Sequence, residues 1–270
     1  MKIAVFGARW GVAERARAQG LEPVVHTEDT KDVARCRERG IRVVDEPAEF
    51  FTLLEHPRFH FLDLDAGPEI DRVIDTACTT MEPGDVVLDT TPSWWCDTLR
   101  RYRRMRHRAL YYLDLAWIDR DGRSLLTVAG DRAGADLARP MLDRLAGAGD
   151  EPGHGSPVLH LGGAGLAHYC AMVEAAVTTA RTQLRAEAAL MLDAWPSTID
   201  RDRVRTLFPL VDPPPLGRAG WLVDDALRLE AAAPLLTQSA VLALSEALEE
   251  GRSRPMPMRV GAFGLPDDIL

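Results

Sequence analysis

Gly7-Ala8-Arg9-Trp10-Gly11 closes the first apolar run of the chain and opens its first helix-like segment, and residue types in that order suit one kind of chemistry, the holding of a phosphate. A dinucleotide turn needs glycines because the bend is tight and the backbone must approach a pyrophosphate. The helix that follows must also pack close to the strand, with its first amides free to receive the anion. Here two glycines remain with three residues between them, and Trp10 sits inside a loop one residue shorter than that pattern. Taken alone, the spacing reads equally as an altered cofactor turn or as a structural bend. The next apolar run ends in His26-Thr27-Glu28-Asp29. An acid at that place suits a ribose diol and an arginine suits a 2′-phosphate, so NAD is favoured over NADP if a cofactor binds. Gly7, Ala8, Arg9, Trp10, Gly11 and Thr27 are the resulting cofactor-binding candidates.

The elements that must position this turn follow from the alternation of apolar runs with helix-like segments. Residues 2–6 (KIAVF), 21–25, 41–44, 59–64 and 86–88 read as buried strands, with helices expected over 12–18, 31–39, 48–55 and 68–81 between them. Parallel strands joined by right-handed helical crossovers are the economical arrangement of that order. A helix over 93–107, N-capped by Ser93 or by Pro92-Ser93, leads to strands near 109–115 and 125–128 and a helix over 131–145. Asp121-Gly122 marks a hairpin turn, and the glycine- and proline-rich stretch 147–157 a surface loop. Residues 158–161 read as a last strand. From Gly162 to Leu192 the opening glycines give way to about twenty-five residues without glycine or proline, so propensity and length predict one long helix. Beyond it, helices are expected over 199–208, 221–232 and 235–250. Pro213-Pro214-Pro215 is a stiff connector, and the tail from Gly251 has no periodic pattern.

A formal net charge of −9 argues against nucleic acid or an anionic membrane as the main partner. The six arginines between Arg100 and Arg108 are expected to be a solvated helix surface paired with nearby acids. Four scattered cysteines without a C-x-x-C pair read as reduced thiols, and no metal site is expected on them. With a strand at once from the N-terminus and no apolar run near 18 residues, the expectation is a cytoplasmic, soluble protein.

Several segments together resemble the 6-phosphogluconate dehydrogenases, within the β-hydroxyacid dehydrogenase superfamily that also holds imine reductases. They are Asp65-Ala66-Gly67-Pro68, the run from Glu82 to Asp89, Tyr112-Leu113-Asp114, Ala129-Gly130-Asp131, residues 165–173 and the run from Gly220 to Ala226. The resemblance implies an α/β Rossmann-like domain over residues 1–160. It further implies a long interdomain helix at about 165–192 and an all-α domain within 161–270 that interlocks in a homodimer and takes a small-molecule substrate.

Measured against that family, the chemistry-bearing positions depart repeatedly. The family's asparagine after the fifth strand falls on Pro92, within Thr90-Thr91-Pro92-Ser93, and its cofactor-loop lysine falls on Asp65, beside Ala66. The substrate loop, about four residues shorter here, contains Trp117, placed by the resemblance with Trp94 and Trp95 around the pocket mouth. On the long helix, positions 168, 171, 175, 178 and 182 step by three and four and share one face. The family's general-base lysine, its asparagine and its general-acid glutamate fall on Ala171, Ala175 and Thr178. Such groups assist alcohol oxidation, which loses a proton as hydride leaves, by typically 10²–10⁴ in rate.

Decarboxylation of 6-phosphogluconate is therefore not expected, and two readings stay open. One is a divergent oxidoreductase that uses NAD or NADP to reduce a small, already electrophilic substrate such as an iminium, since imine reductases dispense with the lysine. The other is an inactive pseudo-dehydrogenase, with or without cofactor, that binds a ligand or a partner. Glu174, Thr178 and His168 are the catalytic candidates, with His168 also reading as a core histidine. Asp65, Ala66 and Thr91 join the cofactor set, and Pro92, Ser93, Trp117, Ala171 and Ala175 line the expected substrate pocket.

Overall fold

The computed structural model describes residues 1–120, 123–147, 157–193, 216–228 and 233–249. The described residues fall into two compact units, Met1–Tyr169 and, from Cys170 onward, a helical one.

The first unit is built on an eight-stranded sheet: β1 (Lys2–Phe6), β2 (Glu22–His26), β3 (Arg42–Val44), β4 (Phe59–Leu62), β5 (Val86–Asp89), β6 (Tyr111–Arg120), β7 (Arg123–Gly130) and β8 (Val158–Gly162). Its order is β3-β2-β1-β4-β5-β6-β7-β8. Every neighbouring pair is parallel except β6 and β7, which form the expected antiparallel hairpin. The sheet is thus mixed rather than wholly parallel. The reason is local: β6 ends at Arg120 and β7 begins at Arg123, and strands that close in sequence pair antiparallel, whereas a parallel neighbour needs a long crossover.

Helices cover both faces: α1 (Val12–Ala18), α2 (Thr30–Glu38), α3 (Glu49–Leu53), α4 (Glu69–Ala77), α5 (Trp95–Arg106) and α6 (Arg132–Leu145). Because side chains alternate along each strand, Ile3 and Val5 enter one core with α1 and α6, while Ala4 and Phe6 enter the other with α3, α4 and α5. The strands therefore read as continuous apolar runs, buried on both sides.

The long helix α7 runs from Leu166 to Asp193 and crosses from the first unit into the second. The second unit also contains α8 (Leu216–Arg228) and α9 (Pro234–Glu249), packed against each other. The helix expected over residues 199–208, the triple-proline connector and the tail from Gly251 lie outside the described residues, as does most of the 147–157 loop.

The arginines from Arg100 to Arg108 meet the expectation of a solvated, acid-paired surface only in part, since Arg101 is buried and Arg108, beyond the end of α5, bonds a carbonyl. Arg100 donates to Asp71 at 2.8 Å, Arg101 pairs with the same carboxylate, Arg104 with Asp75, and Arg108 donates to the Cys78 carbonyl. Among the described residues, no group of three or more His, Cys, Asp or Glu side chains is placed to hold a metal ion. No described helix is long and apolar enough to cross a membrane.

Candidate functional site

Three acids mark one level of the sheet. Leu62 pairs with Asp89 and Asp89 with Asp114 across β4, β5 and β6, and Asp63 follows Leu62 directly. In a parallel sheet this level, at the carboxyl ends of the strands, is where ligands bind. All three carboxylates are fully buried, and each is turned onto the protein's own backbone.

Asp63 occupies the glycine turn. Its Oδ1 accepts the Trp10 amide at 2.8 Å and its Oδ2 the Val12 amide at 3.1 Å, so the first amides of the strand–turn–helix unit converge on a carboxylate supplied from β4. The backbone locks the residue in place. Asp63 N donates to Phe6 O at 2.8 Å and Asp63 O accepts from Arg9 N at 3.1 Å. Burial pushes the Asp63 pKa up to about 6 against the Trp10, Val12 and Gly11 amides, which pull it down, and Glu14 adds its like charge to the upward shift. At neutral pH the group is still predominantly an anion.

The rest of the loop closes over it. Trp10, half exposed, donates its indole N–H to Leu64 O at 3.0 Å. Arg9 pairs with Asp65 at 2.7 Å, so the acid found in place of the family's lysine is matched by an arginine inside the turn. Arg35 of α2 donates to the Ala8 carbonyl. Gly7 and Gly11 stand at φ +83° and +82°, and a Cβ on Gly7 would lie 2.3 Å from Asp63 O. Glycine is therefore required at Gly7 twice over, for its dihedral and for its contact. Gly7→Ala is expected to cost about 2–3 kcal/mol, read as a lower urea midpoint at unchanged slope.

Asp89 anchors the loop after β5. Its Oδ1 accepts the Thr91 amide at 2.9 Å and the Thr91 hydroxyl at 2.5 Å, and Oδ2 accepts the Tyr112 hydroxyl. Thr91 Oγ1 stands 2.7 Å from Ser93 Oγ, which accepts from Arg101 Nη1 at 2.7 Å. Since the carboxylate only accepts, Thr91 must donate to it and Ser93 must donate to Thr91. Proton directions are thereby fixed from the Asp71–Arg101 pair to Tyr112. Ser93 is committed to this chain instead of capping α5, whose first helical residue is Trp95 and whose Trp94 cap uses no side chain.

Asp114 receives the start of α7: Gly165 N at 2.7 Å, Ala167 N at 2.9 Å and His168 N at 3.1 Å. Burial raises its pKa, opposed by His168 and these amides. His168 Nε2 stands 3.1 Å from the Asp89 carbonyl and must donate there, and Nδ1 lies 2.7 Å from the Thr98 hydroxyl. Both ring nitrogens are thus engaged, as a satisfied core histidine requires.

The structure brings Gly7, Ala8, Arg9, Trp10, Gly11 and Asp65 together, and separately Thr91, Ser93 and His168, with half-buried Pro92 between the first two. Ala66 follows Asp65 on the same loop. Thr27 lies beyond β2, where its hydroxyl accepts from Asp29 N at 3.3 Å; Glu28, the acid next to it, lies 3.4 Å from Arg72. Trp117 is not in a loop. It stands on β6, paired with Leu126, and packs into the core beside α1 with the Arg15 guanidinium 4.8 Å from its ring centre. Trp95 instead packs edge-on against Tyr169 at 5.9 Å. In the second unit Ala171 and Ala175 are buried, and Glu174 Oε1 accepts the Thr178 hydroxyl at 2.7 Å. Asp63 was not singled out from the sequence, and Asp89, Arg101, Tyr112 and Asp114 entered it only as members of longer segments, with no role of their own. The available signal was a set of acids directly following, or lying within, strands otherwise wholly apolar.

A nicotinamide dinucleotide would be held by the amides of the glycine turn. Those amides are saturated by Asp63, so the residues present do not fit the pyrophosphate in this arrangement.

A family model for the NAD binding domain of 6-phosphogluconate dehydrogenase matches residues 4–151, more than half of the chain. The decarboxylating 6-phosphogluconate dehydrogenase of Bacillus licheniformis is 28% identical over 197 residues, covering 70% of this chain and 41% of that protein. The NAD(+)-dependent decarboxylating enzyme of Bacillus subtilis is 27% identical with the same coverage. The chain thus spans about two fifths of the length of these curated relatives. Among solved structures, 3-hydroxyisobutyrate dehydrogenase from Mycobacterium tuberculosis aligns with a TM-score of 0.72 at 17% identity, over 92% of this chain and 94% of that one. An imine reductase from Streptomyces aurantiacus aligns at 0.61 and 14%, over 93% and 95%. At those identities the likeness is one of fold.

Proposed function

The chain belongs to the family of the 6-phosphogluconate dehydrogenase NAD-binding domain, within the NAD(P)-binding dehydrogenase and reductase superfamily, and from that premise we propose that it is a pseudo-dehydrogenase. It has kept the fold, lost nicotinamide-dependent hydride transfer, and acts by binding a ligand or a partner. The observation that carries this reading is the Asp63 carboxylate on the Trp10 and Val12 amides. A pyrophosphate oxygen brought within about 4 Å of that anion meets roughly 4 kcal/mol of repulsion at a near-surface dielectric, about a thousandfold in affinity. It would also find the donors already used.

The remaining groups support the same reading. Ser93, Thr91 and His168 spend their hydrogen bonds on other protein groups, and on α7 Ala171 and Ala175 offer no proton donor or acceptor while Glu174 is tied to Thr178. No described group at these positions is left for the acid–base work of alcohol oxidation.

The rival reading is reduction of a small electrophilic substrate by NAD or NADP. The retained φ values of Gly7 and Gly11 favour it, but it requires the Asp63 carboxylate to leave the turn. Titration with NADH and with NADPH, followed by energy transfer from tryptophan to nicotinamide, separates the two. The expected result is no saturation with either up to millimolar concentration. Micromolar binding of either would return the protein to the reductases.

A further inference from the structure

We infer that Asp63 is the specificity-determining residue of the glycine turn: its carboxylate stands in for the cofactor's phosphate, and replacing it with a small neutral residue reopens the turn to nicotinamide dinucleotides. This rests on the reading that the turn of the wild-type chain takes no dinucleotide, and it goes further by assigning that loss to one side chain.

The turn is otherwise intact. Gly7 and Gly11 hold the positive φ values that let the backbone bend close to an anion, and the Trp10 and Val12 amides point at one place, where the structure puts an anion. Among the described residues the carboxylate there has no cation bonded to it. Arg9 is paired with Asp65, and Arg35 with Glu14 at 3.3 Å and Asp32 at 2.9 Å. Among the described residues, amide donors hold the Asp63 carboxylate, and those are the donors a phosphate needs. Because the Asp63 backbone is fixed by Phe6 O and Arg9 N, shortening its side chain empties the cradle without displacing the loop.

Two amides released to a charged acceptor, together with the repulsion removed, correspond to a gain on the order of 100-fold or more in dinucleotide affinity. The experiment compares the wild type with Asp63→Ala and Asp63→Ser. NADPH and NADH binding is read by fluorescence transfer and by the rise in melting temperature the nucleotide causes, with near-UV circular dichroism reporting the fold of each variant. Amide hydrogen exchange on the ligand-free wild type is the arm that needs no variant, since Trp10 and Val12 amides bound to a buried carboxylate should be protected.

Support consists of a wild type that does not saturate, a folded variant that binds at least about 100-fold tighter, and protected amides at Trp10 and Val12. A folded Asp63→Ala or Asp63→Ser that remains blind to both nucleotides overturns the assignment while leaving the pseudo-dehydrogenase reading standing. Unprotected Trp10 and Val12 amides overturn it even if neither variant folds. Micromolar binding by the wild type overturns both.

Discussion

Replacing Asp114 with alanine is expected to lower the unfolding free energy by about 4 kcal/mol and the melting temperature by roughly 10 °C. Three backbone donors converge on this one carboxylate: Gly165, just before α7, and Ala167 and His168 in its first turn. A helix start carries unsatisfied N–H groups that must find acceptors, and here water cannot supply them because Asp114, Gly165, Ala167 and His168 are all buried. Each orphaned donor costs about 1–3 kcal/mol. Part of that sum is returned because burial disfavours the charged form of Asp114, as the upward shift of its pKa shows. Asp114→Asn keeps one acceptor but points an N–H₂ at another N–H, so about half the loss should remain. Thermal melts of the two variants beside the wild type give the ordering wild type, asparagine, alanine. An alanine variant melting within about 2 °C of wild type would mean that the three amides find other partners.

The effect bears on function because the same contact ties β6 to the start of the helix on which the family carries its chemistry. His168, whose amide goes to Asp114, sends one ring nitrogen to the Asp89 carbonyl and the other to Thr98. His168, one of the catalytic candidates of the sequence, is thus held with both ring nitrogens and its amide on protein groups at the start of α7.

How far the sequence discloses such a site depends on how local its cause is. The strands of residues 2–6, 59–62 and 86–89 were legible because an apolar run followed by a turn is a local property, and so was the hairpin at 121–122. Asp63 was not legible. Whether Asp63 or Asp65 faces the glycine turn depends on which side of the sheet the chain presents as β4 ends, and on β4 lying beside β1, partners more than fifty residues apart. The sequence therefore offered Asp65 as a lost positive charge, while the structure pairs it with Arg9 and gives the anion's place to its neighbour. Trp117 was misplaced for a related reason. Counted as loop from the family's loop length, it belongs to a strand that continues to Arg120 because its hairpin partner runs beside it.

At the opposite end of β4 and β5, Asp85→Ala should cost about 3–4 kcal/mol and abolish most of the acid sensitivity of the fold below pH 4. Asp85 is fully buried between the start of β5 and the start of β4. It accepts from Arg58 N at 2.7 Å, Glu82 N at 3.0 Å and Arg58 Nη1 at 3.3 Å, and His60 Nε2 stands 3.5 Å away. Burial alone would raise its pKa, but His60 and the two amides outweigh burial and hold it at about 2. A carboxyl lowered from its ordinary value near 3.8 contributes stability that is present above pH 4 and lost as pH falls toward 2, about 2.5 kcal/mol in all. His60, wholly buried and pushed down by desolvation, acts in the same direction but at higher pH. The unfolded state takes up its proton first, so stability falls with acid from about pH 6.5. His60 and Asp85 therefore weaken the wild type on acidification in two pH ranges. Asp63 and Asp114, whose pKa values are raised, work against the His60 stage, and the alanine variant loses the stage below pH 4. Removing the Asp85 carboxylate also leaves the buried Arg58 amide and the half-buried Glu82 amide without this acceptor, and leaves the Arg58 guanidinium to the Glu82 carboxylate at 2.9 Å and the Phe51 ring. Urea midpoints taken across pH 7 to 3 separate the stages. A variant that kept the wild-type slope below pH 4 would place the acid sensitivity in another carboxylate, Asp71 being, among the described residues, the other one whose pKa is lowered, by Arg100 and Arg101 against the effect of burial. Because Asp85 lies at the far end of the strands from Asp63, the substitution should leave the protection of the Trp10 and Val12 amides unchanged. Loss of fold stability and opening of the glycine turn then become separate, independently measurable events.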